Sequence, residues 1–213
     1  MLPWYIFVSI PAILMAIWIL SGIIPRRGVE SPGFRVIGQA VGYQVRDYEA
    51  YILCEVEVTG DLRDAVTRGF RILAGYIFGN NMKKESIPMT TPVGLSDAAS
   101  EKIPMTAPVS VVTGTDVHTV SFVVPSKYTL ETLPAPVDQR VRFRVVPSHQ
   151  AAALSFSGCA GVESVRKKTI QFQAALERDG VNLGSGISLA QYDPPWSPPF
   201  LRRNELIVTI RQK

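Results

Sequence analysis

His118 and His149 are the only imidazoles in this chain of 213 residues. Any proton shuttle or nitrogen ligand working near neutral pH would have to use one of them. His118 alternates with Val120, Phe122 and Val124, which turns it toward an apolar strand face. A metal ligand at that place competes with a hydrogen-bonded core or strand-end histidine. With no second ligand at a telling spacing, the structural role is the default. His149 follows Pro147-Ser148 at a strand entry and is expected to be exposed. Cys54 and Cys159 are too few and too far apart for a zinc cage or a disulfide framework, so both are expected as free thiols. Met89 and Met105 hold matching places in a repeated string. A thioether can ligate iron, but symmetrical placement in a structural repeat favours soft packing. Arg202, Arg203 and Glu205 form the last charged cluster, where internal guanidinium–carboxylate pairing is the default and an external carboxylate the alternative. The chain has no G-x-S-x-G elbow, H-E-x-x-H, P-loop or dinucleotide fingerprint, and no spacing selects a Ser-His-Asp triad. A non-enzymatic role is therefore expected.

The elements that must hold these residues follow from periodicity. Ala50, Ile52, Cys54, Val56 and Val58 alternate with acidic and polar residues, a half-buried strand with Cys54 facing inward. After Gly60, Leu62, Val66, Gly69, Phe70, Leu73, Tyr76 and Ile77 recur at steps of three and four, which predicts a helix capped by Asp61 and ended by Gly79-Asn80-Asn81. The same order returns about a hundred residues later. A strand over 151–157 is followed by a helical stripe of Val162, Val165, Thr169, Phe172 and Leu176, stopped by Gly180. Strand followed by helix in each half predicts an internal repeat with approximate two-fold symmetry. Further strands over 117–124, 140–146 and 205–211 complete the sheets, and several strands following one another without an intervening helix favour an antiparallel α+β fold over a parallel doubly wound one.

A seven-residue string, Ile-Pro-Met-Thr-x-Pro-Val, occurs at Ile87–Val93 and again at Ile103–Val109. Its prolines cannot donate to a ladder, so each copy is expected as a strand end or edge segment whose Ile, Met and Val point inward. At the other end, Met1–Pro25 carries no charged side chain. About 20 such residues rising ~1.5 Å each cross a ~30 Å hydrocarbon core. No Lys or Arg precedes this run and no small-x-small site follows it, so an uncleaved single-pass anchor is expected rather than a signal peptide. Arg26 and Arg27 follow at once, which places the globular part on the cytoplasmic side. The expected organisation is a transmembrane anchor over 1–25, a juxtamembrane linker over 26–41, and one domain over 42–213. The net charge of +4 is modest and the Lys and Arg residues are scattered, which argues against nucleic acid as a partner and for weak attraction to an anionic bilayer.

The doubled string, taken with Tyr192-Asp-Pro-Pro-Trp-Ser-Pro-Pro-Phe-Leu-Arg-Arg-Asn-Glu205, resembles the SOUL family of haem-binding proteins from about Gly42 to the C-terminus. That resemblance implies a pseudo-two-fold distorted antiparallel β-barrel with two flanking helices, here preceded by one N-terminal transmembrane helix. It also implies non-covalent binding of haem or a related tetrapyrrole between the first helix and the C-terminal loop. The helix would supply Phe70, Leu73 and Ala74 as wall, with Arg68 and Arg71 for the propionates, and the loop would supply Tyr192, Trp196 and Phe200. Aromatic walls with cations at the mouth suit a flat macrocycle carrying two carboxylates. Packing of Phe70 and Leu73 under the sheet is the competing role for those two. The expected function is a membrane-anchored haem binder for buffering or delivery, with the bilayer and a porphyrin as partners. The alternatives are a small hydrophobic ligand-sensing or protein-interaction module of the same fold, and an enzyme acting on a membrane lipid or pigment.

Overall fold

In the computed structural model, which describes residues 14, 15, 18, 19, 30–97, 117–194 and 196–211, the chain is a curled antiparallel sheet with two helices. Its strands are β1 (Phe34–Ala40), β2 (Tyr43–Tyr48), β3 (Tyr51–Thr59), β4 (Val93–Asp97), β5 (Val117–Val123), β6 (Arg142–Val146), β7 (His149–Phe156), β8 (Ser188–Gln191) and β9 (Asn204–Thr209). Helix α1 (Leu62–Ile77) follows β3, and α2 (Val162–Arg178) follows β7. The hydrogen-bonded order is β1-β2-β7-β9-β8-β4-β5-β3-β6. The units β3-α1-β4-β5 and β7-α2-β8-β9 match across the central β8–β4 pair, which is the internal repeat expected from the sequence. Each unit's preceding strand crosses over: β2 pairs with β7, and β6 with β3.

Residue types explain the elements. Asp61 caps α1 by accepting a hydrogen bond from Asp64 N at 2.9 Å. Gly79, at φ +106°, turns the chain out of that helix, a conformation that favours glycine. In α2, Glu163 in the first turn and Arg178 in the last complement the helix dipole. Both helices lie on the sheet face that presents Cys54, Val56, Val120 and Phe122 in one half and Leu154, Phe156, Leu206 and Val208 in the other; these side chains form the core. Gly69 lets α1 approach β5 closely, since a Cβ there would sit 2.5 Å from Val120 Cγ2.

The expected distorted antiparallel barrel with two flanking helices is met as a sheet curled into a half-barrel, with β1 and β6 left as the edges of a linear order. The register shift between Val36 and Gly38 on β1 is the kind of irregularity that bends an edge away from further pairing. Residues 34–40, expected as linker, are β1 itself; their side chains face outward, so no clean alternation marked them. His149 is half-buried, stacked on Tyr48 at 5.4 Å with Nδ1 2.9 Å from the Pro147 carbonyl. The transmembrane segment expected over 1–25 lies outside the described residues except for four of them, and among the described residues no helix is long and apolar enough to cross a membrane.

The first copy of the repeated string behaves as read. Ile87 is buried, Met89 packs against the core, and Val93 opens β4. The Thr91–Pro92 peptide is cis, and Thr90 Oγ1 donates to the Val123 carbonyl. The second copy, with Met105, lies outside the described residues.

Candidate functional site

The connection from β8 to β9, residues 192–203, is held at both ends by one buried carboxylate. Glu205 is 0% exposed and receives a bidentate pair from Arg46, itself 2% exposed, at 2.8 and 2.9 Å. Tyr192 Oη donates to it at 2.6 Å, Ser155 Oγ at 2.8 Å and Arg203 Nη2 at 2.8 Å. The Arg203 guanidinium also lies 4.3 Å above the Tyr192 ring. Burial pushes the Glu205 carboxyl up, but the hydrogen bonds from Arg46, Tyr192, Arg203 and Ser155 outweigh it and hold the group at about 2. Burial and then the Glu205 charge push the Tyr192 phenol well above its ordinary value. Between these anchors the loop is stiffened by its prolines and a 3-10 turn at Pro199–Leu201. Arg202 Nε donates to the Ser197 carbonyl at 2.8 Å, and Gly158 N donates to the Pro199 carbonyl at 3.0 Å.

What this frame presents outward is aromatic. Trp196 is 60% exposed and Phe200 63%. Against them stands Trp18, whose Nε1 donates to the Trp196 carbonyl at 3.0 Å and whose ring meets Phe200 edge-on at 6.5 Å. Tyr192 is less available than expected, since its hydroxyl is committed to Glu205. On α1, Leu73 is fully buried in the core and cannot line a surface site. Phe70 divides its ring between solvent and an edge contact with Phe122 at 5.3 Å, and Ala74 is half-buried. Arg68 and Arg71 are exposed and have no carboxylate partner among the described residues. The register sets Cys54, Phe122, Val93, Gln191, Asn204 and Phe156 side by side across six strands. Phe122, under Phe70, is therefore two strands from Gln191, roughly 10 Å from where the loop begins. The helix group and the loop group are close neighbours on one sheet, though none of the eight expected residues bonds across from one group to the other.

Sequence reasoning missed Arg46, Ser155 and Trp18. Ser155 continues an alanine-rich strand, and Arg46 sits in the polar stretch Tyr-Gln-Val-Arg-Asp-Tyr; neither carries a local sign of burial. Trp18 lies inside an apolar run, where its ring is visible but nothing in the spacing signals a contact with the loop.

A planar group has little room inside. A small cavity lined by Cys54, Tyr76, Met89 and Phe122 is about 10 Å³, the room of a single water. A larger open groove of about 650 Å³ runs beside α2, lined by Val41, Leu154, Lys168, Gln171, Ala174 and Arg178. The exposed rings of 196 and 200, with the half-exposed Phe70 and the guanidinium groups of Arg68 and Arg71, fit the apolar face and the propionates of a tetrapyrrole. Of the eight expected residues only Tyr192 carries an atom that ligates iron, and that atom is occupied by Glu205. Among the described residues there is also no cluster of three His, Cys, Asp or Glu side chains able to hold a bare metal ion.

Comparison with known proteins agrees with this architecture. Heme-binding protein 1 of Xenopus laevis is 25% identical over 184 residues, covering 84% of this chain and 91% of its own. The C-terminal domain of EcmrR superposes with a TM-score of 0.57 at 12% identity, over 80% of this chain and 98% of that one. A hydrolase from Listeria innocua gives 0.52 at 12% identity, over 82% and 94%. At such identities these two structures share the fold alone. The family described as SOUL heme-binding protein matches residues 29–209, and the chain belongs to it.

Proposed function

We propose that this protein is a membrane-anchored tetrapyrrole binder, holding haem non-covalently on the exposed rings of the 192–203 loop and buffering or delivering it at the bilayer. The observation that carries the reading is the pair of exposed rings, Trp196 and Phe200, on a proline-stiffened loop in a chain of this family. A stiff platform loses little entropy on binding, and an open one lets the ligand leave again. Phe70 extends the apolar wall, and Arg68 and Arg71 meet the propionates. No catalytic step is assigned. Arg26 and Arg27, directly after the apolar run, support a cytoplasmic orientation by the positive-inside rule, and a tether there raises the local concentration of binder for ligands that partition into lipid.

Hemin titration into the full chain in detergent, followed at the Soret band, tests this. Saturable one-to-one binding that Trp196→Ala and Phe200→Ala each weaken severalfold is expected; binding indifferent to both would remove the loop from the site. A second reading, sensing of a smaller amphipathic ligand, is favoured by the groove beside α2, where Lys168 could take an anionic end. Ala174→Trp fills that groove. If it abolishes hemin binding while the loop variants do not, the groove is the site.

A further inference from the structure

We infer that the groove beside α2 is a second ligand site, separate from the 192–203 loop, and that it takes a single-chain carboxylate, with the anionic end on Lys168 and the apolar body running toward Val41. This gives the amphipathic ligand of that groove a chemical class and rests on the groove being a ligand site; it is independent of hemin at the loop. The walls are preformed. On one side stands α2, and on the other the β1–β2 hairpin at Val41-Gly42. Two polar ties fix their separation: Arg178 Nη2 donates to the Val41 carbonyl at 3.2 Å, and Tyr43 Oη donates to the Asp179 carboxylate at 3.0 Å. Leu154 and Ala175, both buried, make the floor. Val41 stands 79% exposed at the rim, an apolar side chain left facing open space.

The charges around the groove select an anion. No Asp or Glu side chain lines it, and two cations do. Arg178 is already matched, since its guanidinium donates to Asp179 at 2.8 and 2.9 Å as well as to the Val41 carbonyl. Lys168 is half-buried and has no ion-pair or hydrogen-bond partner among the described residues. On the same helix Arg166, by contrast, pairs with Glu163 at 2.8 Å. An ammonium drawn partly out of water with no counter-charge gains from an incoming carboxylate, which replaces the lost solvation by a charge-assisted hydrogen bond. Gln171, one turn along the same face, offers its amide to the second oxygen. Beyond it Ala174 and Ala175 are small, which leaves the groove open for a chain. The helix runs about 15 Å from Lys168 to Arg178, the length of an extended chain of about a dozen carbons. A volume of about 650 Å³ lies within the range of small-molecule sites. A macrocycle with two carboxylates would meet one unmatched cation here, so the groove and the loop select different ligands.

The test uses the full chain in nanodiscs of zwitterionic lipid, where no detergent competes, and a dodecanoate analogue with a diazirine on its chain, the labelled peptides being identified by mass spectrometry. Saturable labelling within 41–43, 154–155 or 168–178 is expected, displaced by dodecanoate and not by dodecyltrimethylammonium. Lys168→Gln should weaken it severalfold while Lys168→Arg retains it, and Ala174→Trp should abolish it. Labelling that Lys168→Gln leaves intact, or that dodecyltrimethylammonium displaces equally, overturns the carboxylate assignment and leaves the groove as a site for other amphipathic molecules. Absence of saturable labelling there overturns the inference and the groove as a ligand site together, with hemin binding at the loop untouched. Saturating hemin should not displace the label; displacement would overturn the separation of the two sites. Thermal unfolding of each variant checks its fold, and the Lys168 pair, on the surface of α2, carries the test if Ala174→Trp does not fold.

Discussion

Arg46 and Glu205 are the residues on which the loop's position depends, and their burial makes their energetics asymmetric. Removing one partner of a buried pair leaves the other charged and unsolvated, at about 3–5 kcal/mol, whereas replacing both by apolar groups is often close to neutral. Glu205→Leu should therefore destabilise the protein by roughly that amount in denaturant melts, and Arg46→Met/Glu205→Leu by much less. Equal losses would show that the cost is not the orphaned charge. The same carboxyl predicts acid behaviour. Its folded-state value of about 2 lies below the ordinary 4.5, so its stabilisation is complete above about 4.5 and is lost as pH falls through 2. That contribution is on the order of 3 kcal/mol, and the double variant should show a flatter acid limb over this window. At this scale the sequence was half legible. The Tyr-Asp-Pro-Pro string pointed to Tyr192, Trp196 and Phe200, but it could not say that Tyr192 spends its hydroxyl on Glu205. Nor could it show that Arg46, an arginine in a polar stretch, is buried by partners up to 159 residues away.

Elements with a dry face were legible, and elements without one were not. β3, β5, β7, α1 and α2 follow from alternation or from apolar stripes at steps of three and four, and Asp61 caps α1 as expected. β2 was hidden because its second face buries Arg46 and Tyr48 in place of aliphatic residues. β4 and β8 were hidden because they are short and carry Gly94, Ser188 and Ala190, small or polar residues at the centre of the sheet. Gly69 shows how tightly one visible element is seated. Alanine there would gain up to about 1 kcal/mol of helix propensity, but its Cβ would meet Val120. Overpacking of that kind costs about 1–3 kcal/mol, so Gly69→Ala should lower the urea midpoint, and an unchanged midpoint would mean that α1 can lift off β5 freely.

The sheet begins at Phe34, and the described residues before it meet the domain through Trp18 and through Glu30, whose carbonyl accepts from Thr91 N at 2.9 Å and whose carboxylate accepts from Ser126 N at 2.8 Å. Removing residues 1–28 should leave thermal unfolding nearly unchanged, because the core strands and both helices lie downstream. Comparison by circular dichroism checks this; a chain that no longer unfolds cooperatively would assign the segment a structural role. The two-fold repeat was legible from the recurrence of strand and helix, whereas the crossing of β2 and β6 between halves was not, since pairing between distant strands leaves no local trace.

That crossing bears on how the protein is made. β2 has β1 on one edge but finds its second neighbour only in β7, and the outer edge of β3 pairs only with β6. While the ribosome is still working through residues 60–140, each of these strands has already emerged with one edge of N–H and C=O groups whose partner has yet to be made. The first half of the chain thus has to wait, adhesive and incomplete, for residues 142–156 to arrive. Synthesis that stalls in between would leave a fragment prone to stick to its copies, not half of a working protein.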